Sequence, residues 1–182
     1  MIVEKEEQLK YLYDFKEGKI KRGLGIGNEL DNWVLYKRGS FNIIVGLDNV
    51  GKTNFMLWYF LALSVKHNIK WLLWSGENSA GQLTRDLIQM YSQTKLNYLS
   101  KSKIKEYNTK IGEWFSFVSN KKMYNHKELL KIFKDSDCDA GVIDPFTGLN
   151  HDRRVNQYER NYLICNDIRE FCNTTGKTIY LM

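Results

Sequence analysis

One stretch of the sequence has residue types and spacing that prescribe a chemistry: Gly46-Leu-Asp-Asn-Val-Gly51-Lys52-Thr53. It fits G-x-x-x-x-G-K-[ST] and lies between a short apolar run, Phe41 to Val45, and a helix-length segment, Lys52 to Lys66, which is the context the motif needs. Glycines let backbone N–H groups curl around phosphate oxygens, and a helix N-terminus adds partial positive charge. A lysine reaches the β- and γ-phosphates, and a threonine hydroxyl ligates Mg²⁺. Gly46, Asp48, Asn49, Val50, Gly51, Lys52, Thr53 and the following Asn54 are therefore the candidate nucleotide-binding residues, with ATP and Mg²⁺ as the expected ligands.

Such a loop needs a second carboxylate near the metal. Gly141-Val-Ile-Asp144 offers one, since apolar residues running into an acidic residue at a carboxyl strand edge form the Walker B pattern. Asp144 alone before Pro145 is equally a turn residue; its pairing with the P-loop gives it weight, so Thr53 and Asp144 are the expected metal-side residues. Hydrolysis also needs a base. Glu77 lies just past the apolar run Ile69 to Trp74 and is not needed as a helix cap, because Ser79 offers one, which leaves it free for either chemistry or solvation.

Positioning these groups requires a sheet. Phe41–Val45, Ile69–Trp74, Trp114–Val118, Ala140–Ile143 and Thr178–Met182 read as short strands. Between them, helices are predicted from Lys52 to Lys66, from the S-x-x-Q capping box at Ser79, from Asn125 or His126 to Phe133, and from Asn156 to Thr175 with Gly176 as the stop. Strands alternating with helices predict an α/β fold, a parallel sheet with helices on both faces. Ahead of it, residues 4 to about 17 show an amphipathic helix pattern with Leu9, Leu12 and Tyr13, stopped by Gly18.

Composition sets the class. Apolar residues are 43% and charged residues 26% of 182, which suits one globular domain with a real core. The run Phe55 to Val65, broken only by Ser64, is about half the ~20 residues of a membrane span, and the acidic start (Glu4, Glu6, Glu7) lacks the form of a signal peptide, so a cytoplasmic, non-membrane protein is expected. Cys138, Cys165 and Cys172 form no C-x-x-C pair and read as core thiols. The net charge, 27 − 21 = +6, permits a polyanionic partner without requiring one. Lys101, Lys103, Lys105, Lys110, Lys121, Lys122, Lys127, Lys131 and Lys134 form a basic stretch that is more simply a solvated surface, and Arg153 and Arg154 could meet nucleic acid. Phe55, Trp58, Tyr59 and Phe60 make the helix after the P-loop apolar nearly all round, which predicts burial.

Together these residues resemble a family. Asn49-Val-Gly-Lys-Thr-Asn-Phe, Ser75-Gly-Glu77-Asn with Gln82-Leu83 and Arg85, Val142-Ile-Asp-Pro, Glu159-Arg160, and Ile164 to Phe171 before Gly176-Lys-Thr-Ile-Tyr-Leu look like the RecA-like ATPase core of DnaB-type replicative helicases, and Gly25-Ile-Gly-Asn-Glu-Leu30-Asp31 is similar to the segment that leads into it. The Asp-Pro-Phe after the Walker B strand looks more like plasmid and phage members. The resemblance implies a RecA-like P-loop NTPase fold with the last strand between the Walker A and Walker B strands, Glu77 as catalytic base alongside Lys52, ATP hydrolysis, single-stranded or forked DNA as partner, and a homo-hexamer. It divides the chain into an N-terminal linker helix, 1–22, and an ATPase core, 23–182, expected to be incomplete at its C-terminal end because sensor, arginine finger and DNA loops follow the last strand in that family. A non-motor P-loop ATPase, and an inactive structural protein keeping the fold, remain open.

Overall fold

The computed structural model describes residues 4–20, 23–47, 49–150 and 156–182. They fall into two compact units, residues 1–37 and 38–182.

In the first unit, α1 (Lys5–Lys16) buries none of its residues, and Leu9, Tyr11, Leu12, Tyr13 and Phe15 are all exposed. After it, Leu24 and Tyr36 form an antiparallel bridge, and the loop between them is tied by the Asp31 carboxylate, which accepts the Ile26 and Gly27 N–H groups at 2.7 Å each. A side chain at Gly25 would collide with that carboxylate, so glycine here serves close approach.

The second unit is a parallel five-stranded sheet. Its elements run β1 (Phe41–Ile43), α2 (Lys52–His67), β2 (Trp71–Ser75), α3 (Ala80–Ser92), α4 (Lys101–Gly112), β3 (Phe115–Phe117), α5 (His126–Asp135), β4 (Ala140–Asp144), α6 (Gln157–Thr175) and β5 (Thr178–Leu181). The strand order is β1-β5-β4-β2-β3, so β5 does lie between β1 and β4. β2 and β4 are buried along their whole length, which matches their unbroken apolar runs. Alternate side chains serve opposite faces. On one face Phe60 of α2 stacks on Trp71 at 4.1 Å and meets Tyr180 edge-on at 4.9 Å. On the other, Leu72, Trp74, Ile143, Ile179 and Leu181 pack with Leu129 and Phe133 of α5 and Ile164, Ile168 and Phe171 of α6. Gly141 lets Phe133 approach, since a Cβ there would stand 2.6 Å from its ring.

The buried Ser64 hydroxyl lies 3.0 Å from the Phe60 carbonyl and 2.9 Å from that of Ile69, shares its proton between them, and accepts Trp71 Nε1 at 2.9 Å. This three-way bond ties α2 to the start of β2.

Three expectations are corrected. α4 is a helix where the sequence shows only a lysine-rich stretch. Phe55 and Trp58 are not buried; they are 49% and 39% exposed, and only Tyr59 and Phe60 enter the core. Cys138 and Cys172 are buried free thiols, but Cys165 is only partly buried. No described helix is long and apolar enough to cross a membrane.

Candidate functional site

The loop after β1 and the start of α2 are built from unusual backbone. Asn49 and Gly51 both have positive φ, 58° and 86°, a region asparagine tolerates and glycine enters without strain. Gly51 is the residue that caps α2, and it has no side chain to offer the first-turn N–H groups. The contrast within the sheet unit is specific: α3, α4, α5 and α6 are each capped by a side-chain oxygen, from Ser79, Ser100, Asn125 and Asn156. Of these five helices, only the one that follows the P-loop begins with its donors uncapped and its positive dipole end free to meet an anion.

Lys52 folds back over this loop. Its Nζ donates to the carbonyl oxygens of Gly46 and Leu47, both at 2.6 Å. A Cβ at Gly46 would stand 3.0 Å from Lys52 Cδ, so glycine leaves room for the lysine stem. Next along the chain, Thr53 Oγ1 donates to Asp144 Oδ2 at 2.8 Å, joining residues 91 positions apart. Asp144 ends β4 and is only 8% exposed. Burial pushes its carboxyl above the ordinary range; the Thr53 hydrogen bond opposes this, the Glu77 charge adds to it, and Lys52 opposes it.

Glu77 reaches the same edge by sheet register. Ser75 at the end of β2 stands opposite Asp144, and the Gly76 N–H donates to the Asp144 carbonyl at 2.8 Å, so Glu77 emerges beside the aspartate. It is exposed and has no hydrogen-bond or ion-pair partner among the described residues. The Ser79–Gln82 capping box supplies the cap of α3 and leaves Glu77 unused there.

These groups line one cleft of about 870 Å³. Gly46, Asn49, Gly51, Lys52, Thr53, Asn54, Glu77 and Asp144 all contribute to its wall. Val50 does not; it is 61% exposed outside it. Asp48, His151, Arg153 and Arg154 lie outside the described residues. The cleft also has walls that sequence reasoning missed: Asn161 and Cys165, one turn apart on α6, Phe146 and Thr147 past β4, and Asp86 on α3. The four-residue spacing of Asn161 and Cys165 was the available signal.

The donor set suits magnesium with a nucleotide. No cluster of three or more His, Cys, Asp or Glu side chains able to hold a metal occurs among the described residues. Mg²⁺ needs no such cage, since it is bound through one or two protein oxygens together with phosphates and waters, and Thr53 and Asp144 present that minimum already in contact.

No protein-family profile matches the chain, and no curated protein does. Among solved structures it is similar to the ATPase domain of a DnaB-like helicase, with a TM-score of 0.75 and 17% identity over all of this chain and 71% of that one. It is also similar to a DnaB-like replicative helicase described with its primase interactions, with a TM-score of 0.74 and 17% identity over all of this chain and 48% of that one. The chain thus spans less than half the length of the second structure. Identity at this level speaks for the fold alone, and the fold of this chain is that of the RecA-like ATPase domains of DnaB-like helicases.

Proposed function

We propose that this chain is a Mg²⁺-dependent ATPase and the motor core of a hexameric DNA helicase of phage or plasmid replication type. One observation carries the nucleotide reading: the single helix of the sheet unit without a side-chain cap begins at the carboxyl sheet edge, beside the contacting Thr53–Asp144 pair. The N–H groups at the start of α2 bind phosphate oxygens, and Lys52 exchanges the Gly46 and Leu47 carbonyls for the β- and γ-phosphates. Thr53 and Asp144 hold the metal, which when bound supplies neutralisation of phosphate charge. Glu77, exposed and unpartnered at the neighbouring strand end, takes the proton of the attacking water.

The motor reading is supported by the likeness to helicase ATPase domains. Within it, residues 1–22 serve as a linker helix whose exposed Leu9, Leu12 and Tyr13 dock on a neighbouring copy. DNA and the other copies of the ring are the expected partners.

The test is calorimetric titration with Mg²⁺ and a nonhydrolysable ATP analogue. Lys52→Ala should weaken binding at least tenfold with the melting temperature unchanged, and equal affinity in the two proteins refutes the site. Light scattering with and without residues 1–18 tests the linker helix: equal assembly of both forms removes it from the mechanism.

A further inference from the structure

A second crevice, of about 700 Å³, lies between α5 and α6 and shares no wall residue with the cleft over the P-loop. α6 turns Arg160, Leu163, Ile164 and Asp167 toward it, the i, i+3, i+4, i+7 set of one helix face. α5 contributes His126, Lys127 and Lys131. The P-loop chemistry makes no use of this face.

Its charges do not cancel. Asp167 Oδ2 is shared by His126 Nε2 at 2.8 Å and Lys127 Nζ at 3.5 Å, and Glu128, also in the wall, is held by Lys122 at 2.7 Å. That accounts for both carboxylates. Lys131 and Arg160 have no carboxylate partner among the described residues; Lys131 is exposed, whereas Arg160 is partly buried and its Nε has no acceptor. A guanidinium in that position is costly until an oxyanion reaches it, and its fork matches phosphate oxygens. Beside it Leu163, 48% exposed, offers an apolar surface to a sugar or base edge. The recess lies between two packed helices, so a single strand can lay a phosphate in it while a duplex is too wide to enter.

We propose that the α5–α6 crevice holds the backbone of single-stranded DNA, with Arg160 and Lys131 on phosphate and Leu163 against the adjoining sugar. The proposal rests on the motor reading for its ligand but on none of the P-loop residues. The probe is a fluorescently labelled oligothymidylate, titrated by anisotropy at several salt concentrations against the full chain. Wild type should bind, and Lys131→Gln with Arg160→Gln should bind at least tenfold more weakly. The slope of log affinity on log salt should shrink by about 1.4, at about 0.7 per single-strand phosphate contact. Lys131→Glu, at an exposed position, repeats the test if the double variant melts early. Nucleotide binding at the P-loop, followed separately by the melting shift with Mg²⁺ and ATP analogue, should be unchanged in all variants. Loss of that shift in wild type condemns the ATPase reading without touching the crevice. Undiminished oligonucleotide binding in the variants overturns the crevice, as does equal affinity for a duplex of the same length. No oligonucleotide binding, with a melting shift from inorganic phosphate that Arg160→Gln abolishes, overturns it too, leaving a small-anion site.

Discussion

Asp144→Asn should make the protein more stable and less able to use magnesium. The wild-type carboxylate is 8% exposed, accepts one hydrogen bond, from Thr53, and is repelled by Glu77. Asparagine keeps an oxygen for the Thr53 hydroxyl and removes the buried charge. Relief of such functional-site strain is commonly worth about 1 kcal/mol, and in a chain of this size that raises the melting temperature by about 2–4 °C. The sign with pH follows from proton counting. Because the folded carboxyl titrates above its ordinary value of 3.8, the unfolded chain loses its proton first. The folded state then binds more protons, so wild-type stability falls as pH rises through that interval. Asparagine has no such loss. The two proteins should melt nearly together around pH 4, with the variant ahead by its full margin at about pH 8. In the presence of an ATP analogue, wild type should gain a further melting increment from Mg²⁺ and the variant almost none. Differential scanning fluorimetry across pH, with and without Mg²⁺, measures both effects. A variant that melts below wild type at pH 8, or a gap that narrows with rising pH, refutes the account of Asp144 as a buried charge kept for a metal.

Other perturbations separate chemistry from scaffold. Glu77→Gln should keep nucleotide affinity in calorimetry and lower ATP turnover by about 10²-fold or more, the scale of general-base catalysis; normal turnover removes Glu77 from the mechanism. Gly141→Ala places a Cβ 2.6 Å from Phe133 Cδ2 and 2.9 Å from Ile179 Cδ1, and overpacking of this kind should cost about 1–3 kcal/mol in urea unfolding. Ser64→Ala strands the buried Trp71 indole N–H and should cost about 1–3 kcal/mol, with a shifted tryptophan emission as a second readout.

The fold was legible where periodicity is strong. β2 and β4 are fully buried and carry unbroken apolar residues, and the P-loop announces both the strand before it and the helix after it. α4 escaped because its inward side is only Ile104, Tyr107 and Ile111, thinly spread among lysines, and Ile111 alone is fully buried. Phe55 and Trp58 were misplaced because an all-round apolar helix gives no clue to which side the sheet will take. At the site, each residue type was readable but its partner was not. Thr53 and Asp144 meet because β5 is inserted between β1 and β4, and that pairing is set by long-range packing and not by any local pattern. The position of β5 was anticipated only through family resemblance. Asn161 and Cys165 reach the cleft for the same reason: α6 spans from β4 to β5, and the side it turns to the loop depends on where that crossover lands.

The bare start of α2 ties the lifetime of the protein to the energy state of the cell. Four helices of the sheet unit carry their own terminal stabilisation, typically about 1 kcal/mol from each side-chain cap, while α2 takes its own from whatever anion is at hand. A nucleotide at a hundred times its dissociation constant adds about 2.7 kcal/mol to the folded state alone. Scarcity of ATP therefore does more than halt turnover. It loosens the hinge of the P-loop and its helix, raises the fraction of open chains that proteases can reach, and lowers abundance along with activity. When the nucleotide pool recovers, newly made chains refold onto ligand and survive, so the amount of protein follows its fuel without a separate regulator.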